Sequence, residues 1–320
     1  MDGGSGRLLE QRSILMRRLV VVTGKGGTGK TTVASALALA AARAGRRTLV
    51  LETGRDEQVP ALLGRTGSQG GPSSLRIDPF EALAEYLRVR LGIPVLATRV
   101  LNSRAFRQLM EAAPGWRELI TLGKVWYMEQ ARQGNAPAWD LLVVDAPATG
   151  HGLTFLDVPR VVVHAVRAGP LRRHAGWVEA MVRDPDQTLL LPVALAEELP
   201  AQETAELVTR LRDEVGMCID RVVVNAVASD PFPREVPDLD RRLAALPWRD
   251  SEADLPAPAL LAACARHLRA RYEMNHHYLG EIGRATGLPL VTLPLLPAGV
   301  RGPSDLEALA PALLATPERS

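Results

Sequence analysis

Nine consecutive residues near the start of the chain carry the groups that bind a polyphosphate. The loop fits the pattern G-x-x-x-x-G-K-[ST] and consists of Gly24, Lys25, Gly26, Gly27, Thr28, Gly29, Lys30, Thr31 and Thr32. It follows an apolar strand-like run, residues 19–22, and precedes a helix-like run, residues 31–43, which is the context that the pattern requires. Glycines let successive backbone N–H groups turn toward phosphate oxygens, and a helix N-terminus adds partial positive charge. We therefore expect Lys30 to reach the β- and γ-phosphates of a nucleotide and the Thr31 hydroxyl to bind Mg²⁺.

Lysine is rare in this chain, which makes its placement informative. Only three of the 38 basic side chains are lysines, and Lys25 and Lys30 both lie in the nine-residue loop. A lysine is a compact point charge, whereas an arginine is a planar fork, so the two are not interchangeable at a crowded phosphate. The loop thus keeps lysine where the rest of the chain uses arginine.

A carboxylate ends an apolar strand-like run in the middle of the chain. Residues 139–145 read Trp-Asp-Leu-Leu-Val-Val-Asp, so that the run ends at Asp145. Such a strand places an acidic group where Mg²⁺ binds, usually through a water molecule. The sequence therefore predicts a magnesium site shared by Asp145 and Thr31.

Strand-like runs alternate with helix-like runs along the chain. The strand-like runs are residues 19–22, 48–51, 141–144, 189–193, 222–225 and 288–293. This order predicts an α/β fold, a mostly parallel P-loop NTPase sheet flanked by helices. Ligands in such sheets bind beyond the carboxyl ends of the strands, where the phosphate loop, Asp145 and Asn225 all fall.

We expect one P-loop domain and no second nucleotide domain. It would span residues 18–316 after a flexible N-terminal segment, residues 1–17, and would carry helical insertions at about residues 78–133 and 153–186. A length of 320 residues is sufficient for one large α/β domain with a sizeable core.

Composition and charge exclude several classes of protein. The net charge is only +2, with basic and acidic residues interspersed, so we expect no nucleic-acid partner. No apolar run approaches the ~20 residues of a membrane span, and residues 1–18 lack the apolar core of a signal peptide. Two cysteines, Cys218 and Cys264, cannot form a disulfide framework, which suits a reducing cytoplasm. We therefore expect a cytoplasmic protein without an integral membrane segment.

The ordered set of motifs resembles the arsenite-pump ATPase family, which also includes targeting factors for tail-anchored proteins. Lys25 gives the loop the deviant form G-K-G-G-x-G-K-[ST], and residues 145–151 resemble the family's D-T-A-P-T-G-H switch. Further similar segments are residues 77–86, 114–118, 198–207, 222–225 and 294–302, so the resemblance covers about residues 19–316. It implies a cytoplasmic ATPase that binds ATP and Mg²⁺, dimerises, and acts as a nucleotide-driven switch for a client or partner protein.

The resemblance also implies roles for individual residues. Lys25 would reach across a dimer to the nucleotide of the partner subunit. Asn225 would read the purine base, since an amide offers both a donor and an acceptor. The closing loop that contains Pro294 and Pro297 would pack near that base, and Gly150 would let the switch change its path when the γ-phosphate leaves.

The chain departs from the family after the second strand-like run. The family has a segment like S-T-D-P there, and its aspartate orients the attacking water. An ungapped comparison puts Gly54 at that position, and glycine has no side chain to orient water. Glu52, Asp56 or Glu57 would have to substitute, and Asp56 is our candidate catalytic residue. We expect slow hydrolysis, or hydrolysis supported by a partner subunit.

Cysteine usage is a second departure. Tail-anchored targeting factors often bridge a dimer through zinc with a C-x-x-C pair, whose positions here are Ala265 and Leu268. Cys264 lies beside them, but one thiol per chain does not make a tetrahedral site, so we expect no zinc. Two cysteines distant in sequence also form no obvious thiolate cluster for arsenite.

Several functions remain open at this level. The leading hypothesis is an ATPase switch that works as a homodimer, or as a heterodimer with a paralogue. One alternative is an ATP-binding regulatory subunit that pairs with an active paralogue, which Gly54 favours. Another is a partition or positioning ATPase; residues 304–320 count against it, because they lack the basic amphipathic helix with which such proteins often bind membranes.

Overall fold

The computed structural model describes residues 14–64, 71–91, 103–104, 115–232, 238–245 and 257–315. Its strands are β1 (Leu19–Thr23), β2 (Thr48–Glu52), β3 (Ser73–Arg76), β4 (Arg132–Gln133), β5 (Ala136–Pro137), β6 (Leu141–Asp145), β7 (Thr188–Leu195), β8 (Val222–Val227) and β9 (Leu290–Pro294). Seven of them form one sheet in the order β3-β2-β6-β1-β7-β8-β9, and every neighbouring pair is parallel. The short strands β4 and β5 form a separate antiparallel hairpin.

Helices follow most strands of the sheet. Those with described bounds are α1 (Lys30–Arg43), α2 (Val59–Leu63), α3 (Pro79–Leu91), α4 (Trp116–Gln130), α5 (Thr149–Ala165), α6 (Pro170–Arg183), α7 (Glu198–Arg210), α8 (Leu239–Ala244), α9 (Pro258–Thr286) and α10 (Pro303–Leu314). A 3₁₀ turn, Ile14–Met16, precedes β1, and a π-helical turn, Leu211–Val215, extends α7.

The core lies on both faces of the sheet, because successive side chains of a strand point to opposite faces. Val20 and Val22 of β1 pack in one apolar cluster with α1, α2 and α10. Leu19 and Val21 pack in another, with α4, α5 and α6. A parallel sheet covered on both faces explains why its central strands read as unbroken apolar runs.

The predicted fold class is confirmed, and all six predicted strands are present. Of the seven-stranded sheet only β3 was missed, because its sequence Ser-Ser-Leu-Arg is half-buried at the sheet edge and gives no apolar signal. The two-residue strands β4 and β5 of the separate hairpin were also missed. Helices α3 and α4 lie in the first predicted insertion, and most of α5 and all of α6 lie in the second. Residues 1–13 of the predicted flexible segment lie outside the described residues, whereas Ile14 is buried. Among the residues with described structure, no helix is both long and apolar enough to span a bilayer.

An ion pair aligns the starts of two central strands. Asp140, just before β6, accepts hydrogen bonds from the backbone N–H of Arg47 at 2.9 Å and from its guanidinium at 2.8 Å and 3.1 Å. The side-chain bond to Arg47 outweighs desolvation and lowers the pKa of Asp140 to about 2. Arg47 O in turn accepts from the Asp140 backbone N–H at 2.8 Å. The pair therefore fixes β2 beside β6 before either strand reaches the carboxyl edge.

This pair predicts a specific pH dependence of stability. The folded-state pKa of Asp140 lies below its unfolded value of about 3.9, so its stabilisation is present above that value and is lost as pH falls toward 2. Because both side chains are partly exposed, we expect Asp140→Asn to cost only about 0.5–1 kcal/mol at pH 7. Urea unfolding of both proteins at several pH values should show this difference shrink between about pH 4 and pH 2. A difference that stays constant over that interval would contradict the assignment.

Candidate functional site

The phosphate loop connects β1 to α1 through glycines in conformations that other residues rarely adopt. Gly24, Gly27 and Gly29 have φ of 148°, 85° and 89°. A Cβ atom added to Gly24 would collide with the carbonyl oxygen of Val193 in β7. The loop is therefore pressed against the neighbouring strand, and glycine is required at its first position by both space and dihedral angle.

Hydrogen bonds inside the loop hold its cation in place. The carbonyl oxygen of Lys25 accepts from Thr28 Oγ1 at 2.9 Å and from Lys30 Nζ at 2.9 Å. Burial lowers the pKa of Lys30, and the nearby Asp145 carboxylate partly offsets that effect. Lys30 thus rests on a neutral carbonyl, which an anionic phosphate oxygen could replace as a stronger partner.

Asp145 and Thr31 are in direct contact. Asp145 ends β6 and lies opposite Val22 of β1, and Thr31 stands in the first turn of α1. Thr31 Oγ1 donates to Asp145 Oδ2 at 2.6 Å. Burial raises the pKa of Asp145, Glu52 adds to this rise, and Thr31 and Lys30 oppose it. The other oxygen, Asp145 Oδ1, is buried and has no hydrogen-bond partner among the described residues.

These oxygen donors fit Mg²⁺. A hydroxyl, a buried carboxylate and an unpartnered carboxylate oxygen are the hard ligands that this ion prefers. Within the described part of the chain, no three His, Cys, Asp or Glu side chains form a metal cluster. Bound Mg²⁺ would therefore take its remaining ligands from nucleotide phosphates and water, as it commonly does.

Glu52 lies beside Asp145 but is committed to a helix. It is only 2% exposed, and its Oε2 accepts from the backbone N–H groups of Gln58 at 2.7 Å and Val59 at 3.0 Å. These bonds cap the start of α2. Gly54, Asp56 and Glu57 are all exposed in the intervening loop. Of the three acids proposed to replace the missing aspartate, Asp56 and Glu57 thus lie at the surface, and Glu52 uses one carboxylate oxygen to cap α2.

Asn225 contacts the phosphate loop directly. Its Nδ2 donates to the carbonyl oxygen of Thr28 at 3.0 Å, which ties β8 to the loop. The next residue, Ala226, has a φ of 55°, a left-handed conformation that is uncommon for a residue with a Cβ atom. Pro294 ends β9, and Pro297 is exposed in the loop that follows. The structure thus brings Asn225 to the phosphate loop and places Pro294 at the end of the neighbouring strand and Pro297 in the loop after it.

Lys25 forms an ion pair within its own chain. Its Nζ contacts Glu203 of α7, and the two side chains are 42% and 41% exposed. An exposed pair of this kind contributes little to stability, so Lys25 can leave it at small cost. For the predicted switch, α5 begins at Thr149, and the side chains of residues 149–153, including Gly150 and His151, lie outside the described residues.

Comparison with known proteins decides the family. A family model described as the CobQ/CobB/MinD/ParA nucleotide binding domain matches residues 19–247. The chain belongs to this family. The match includes the phosphate loop, Asp145 and Asn225, the three parts that the structure brings together.

Three individual proteins whose names describe them as ATPases are similar to this chain. The ATPase BagA of Mycobacterium tuberculosis is 35% identical over 223 residues, which cover 65% of this chain and 64% of BagA. An arsenical pump-driving ATPase of Escherichia coli is 28% identical, over 75% of this chain and 44% of that protein. ATPase GET3 of Kluyveromyces lactis is 22% identical, over 91% of this chain and 87% of GET3. The chain thus carries a nucleotide-binding domain similar to those of these ATPases, and it spans under two thirds of the length of the mycobacterial relative.

Two contacts of the site were missed from sequence. Thr53 Oγ1 donates to the backbone oxygen of Asp145 at 2.7 Å, which joins the end of β2 to the end of β6. Glu203 was noted only as part of a similar segment, and its contact with Lys25 spans 178 positions of the chain. The only sequence signal for Glu203 was its place in that segment, since no local pattern links it to the loop.

A matched pair of substitutions tests how tightly the loop is packed. Gly27→Ala adds only backbone strain, since an added Cβ meets nothing within 4 Å, and should lower the free energy of unfolding by about 1 kcal/mol. Gly24→Ala adds a collision with the β7 backbone and should cost about 3 kcal/mol or more. Urea unfolding without nucleotide measures both. Equal losses would show that β7 does not constrain the loop.

Proposed function

We propose that this protein is a cytoplasmic, Mg²⁺-dependent ATPase that works as a dimeric, nucleotide-driven switch for a client or partner protein. The observation that carries the proposal is the contact between Thr31 Oγ1 and Asp145 Oδ2 at 2.6 Å, beside a buried Asp145 Oδ1 that no described residue hydrogen-bonds. Lys30 lies next to this pair and rests on a loop carbonyl. A cation and a pair of metal-binding oxygens at the end of a glycine loop are the parts that a nucleoside triphosphate needs.

Each of these residues has a defined task in the proposal. The backbone N–H groups of residues 24–30 bind the phosphates, and Lys30 Nζ leaves the carbonyl of Lys25 for the β- and γ-phosphates. Thr31 and Asp145 would hold Mg²⁺, which would supply positive charge that offsets the charge developing during phosphoryl transfer. Asn225, with Pro294 and Pro297 nearby, reads the adenine, and its amide oxygen is the atom that would accept from the amino group.

Hydrolysis in this site should be slow. An added Cβ at Gly54 would have only ordinary contact, with Asp56 O at 3.7 Å, so the position has room for a side chain that it lacks. Asp56 is exposed two residues further on. In our proposal it orients the attacking water only when another subunit or a loop movement brings it inward.

Dimerisation would give Lys25 a second position. The exposed pair with Glu203 holds it within its own chain, and its release costs little. We propose that Lys25 then contacts the nucleotide of a partner subunit, which is either a second copy or a related paralogue. If the paralogue supplies the missing aspartate, this chain is the regulatory half, and Gly54 is the observation that favours this second candidate.

An apolar pocket supports the proposed role in binding a protein. It has a volume of about 110 Å³ and lies between α3, α4 and α6, with Tyr86, Leu119, Ile120 and Trp126 among its lining residues. Leu171 in its wall is 50% exposed, and Trp177 beside it is 40% exposed. Partly exposed apolar side chains around an apolar pocket suit an interaction site. We propose that an apolar side chain of a client segment fills the pocket.

Restoring the missing carboxylate tests the proposed activity. Gly54→Asp should raise ATP turnover about tenfold or more, because it returns a group that can orient water. Gly54→Ala is the matched control and should leave turnover at the wild-type level, since it adds the same Cβ atom without a carboxylate. Lys30→Ala should abolish turnover in either background. Release of inorganic phosphate from Mg·ATP, with the oligomeric state measured in the same samples, is the readout.

Other outcomes would contradict parts of the proposal. Fast wild-type turnover that Gly54→Asp and Asp56→Ala both leave unchanged would overturn the account of slow hydrolysis. ATP binding with no turnover in wild type or in Gly54→Asp would favour the regulatory subunit. If Lys30→Ala still binds and hydrolyses ATP as the wild type does, the assignment of the site itself is overturned.

A further inference from the structure

Glu52 carries a second unused carboxylate oxygen next to Asp145. The two residues lie in direct register on neighbouring parallel strands, about 4.8 Å apart at Cα. Glu52 Oε2 is occupied by the backbone of α2, but Oε1 is buried and has no hydrogen-bond partner among the described residues. Asp145 Oδ1 is also buried and also lacks a hydrogen-bond partner among the described residues. Two neighbouring carboxyl groups thus each have one buried oxygen with no hydrogen-bond partner among the described residues.

The alternation of the strands sets the direction of both side chains. Val50 and Val143 pack in the apolar cluster that contains α1. Glu52 and Asp145 follow them by two positions, so they point to the same face of the sheet. Thr31 of α1 contacts Asp145 on this face. Both free oxygens therefore belong to the side of the sheet where the metal of the proposed function would lie.

A buried carboxylate oxygen without a partner is costly, and the cost is larger beside another anion. The cap at Gln58 and Val59 accounts for only one Glu52 oxygen. A water molecule bound to a divalent cation offers strongly polarised hydrogens and positive charge, which would satisfy the second oxygen and offset the repulsion. Outer-sphere carboxylates of this kind orient and strengthen metal binding.

We propose that Glu52 is an outer-sphere ligand of the nucleotide-bound Mg²⁺. Oε1 accepts a hydrogen bond from a metal-bound water while Oε2 caps α2. Glu52 is a positioning residue that acts through this water, and the inference rests on the proposed function because it takes Mg·nucleotide as the ligand.

The position of Glu52 also connects the metal to the loop that contains Gly54. Thr53 N and Oγ1 donate to Asp145 O at 3.3 Å and 2.7 Å, and Gln58 and Val59 donate to Glu52. Both ends of residues 53–58 are thus held by the two carboxylate residues. Occupancy of the metal site would set the position of the segment where the hydrolytic aspartate is missing.

Glu52→Gln separates the two tasks of this side chain. The amide oxygen can still accept from Gln58 and Val59, whereas the amide nitrogen replaces the free oxygen and cannot accept from a metal-bound water. Glu52→Ala removes both tasks. Glu273→Gln is the matched control, because Glu273 is an exposed glutamate of α9.

The probe is Mn²⁺ titrated into the full chain with ADP, followed by the electron paramagnetic resonance signal of free Mn²⁺. Glu52→Gln should weaken Mn²⁺ binding about tenfold or more. It should leave ADP affinity in EDTA and the melting temperature of the metal-free protein at wild-type values. Glu52→Ala should lower both Mn²⁺ affinity and the melting temperature, and Glu273→Gln should change neither.

Two results would overturn the assignment. One is wild-type Mn²⁺ affinity in Glu52→Gln. The other is a loss of melting temperature in metal-free Glu52→Gln as large as in Glu52→Ala, since the fold would then need both oxygens. If the wild-type chain itself binds no Mn²⁺ with ADP, the proposed function fails, and that failure is distinct from a failure confined to the variant.

Discussion

The parallel register of β2, β6 and β1 is the constraint on which the rest of the structure depends. It places Glu52, Asp145 and Val22 in one row at the carboxyl edge of the sheet. The phosphate loop begins two residues after Val22, so the same register sets the loop and the start of α1 against the carboxylates. A slip of one residue in either pairing would turn an acid to the opposite face and break the contact between Thr31 and Asp145.

This register places ionisable side chains at the carboxyl edge of the sheet, where apolar side chains would make the fold more stable. Burial raises the pKa of Asp145 and lowers that of Lys30, so each group is disfavoured in its charged form, and their mutual attraction only partly offsets this. Glu52 adds a second buried acid. Perturbed groups that converge at one edge are typical of functional sites, where stability is lost in exchange for a prearranged field. A polyphosphate and a divalent cation together supply the charges that these groups lack.

The sequence predicted those parts whose signals are local. Central strands such as β1 and β6 are buried on both faces, so their apolar runs are visible without any partner, and the phosphate loop is defined by nine consecutive residues. β3 was missed because a half-buried edge strand needs no apolar run. The cap of α2 by Glu52 was missed because it forms only when the chain returns to Glu52 six positions further on, at Gln58. The pair between Lys25 and Glu203 depends on the packing of α7 against the sheet, which no spacing encodes.

The central claim is that this row of residues binds ATP together with Mg²⁺, and equilibrium binding tests it most directly. Isothermal titration of the full chain with ATP, once with Mg²⁺ and once with EDTA, measures the affinity in both states. Our account predicts one ATP per chain, bound about tenfold more tightly or better with Mg²⁺, because the metal offsets the repulsion between phosphates and carboxylates. Absence of ATP binding, or an affinity that Mg²⁺ does not change, would contradict it.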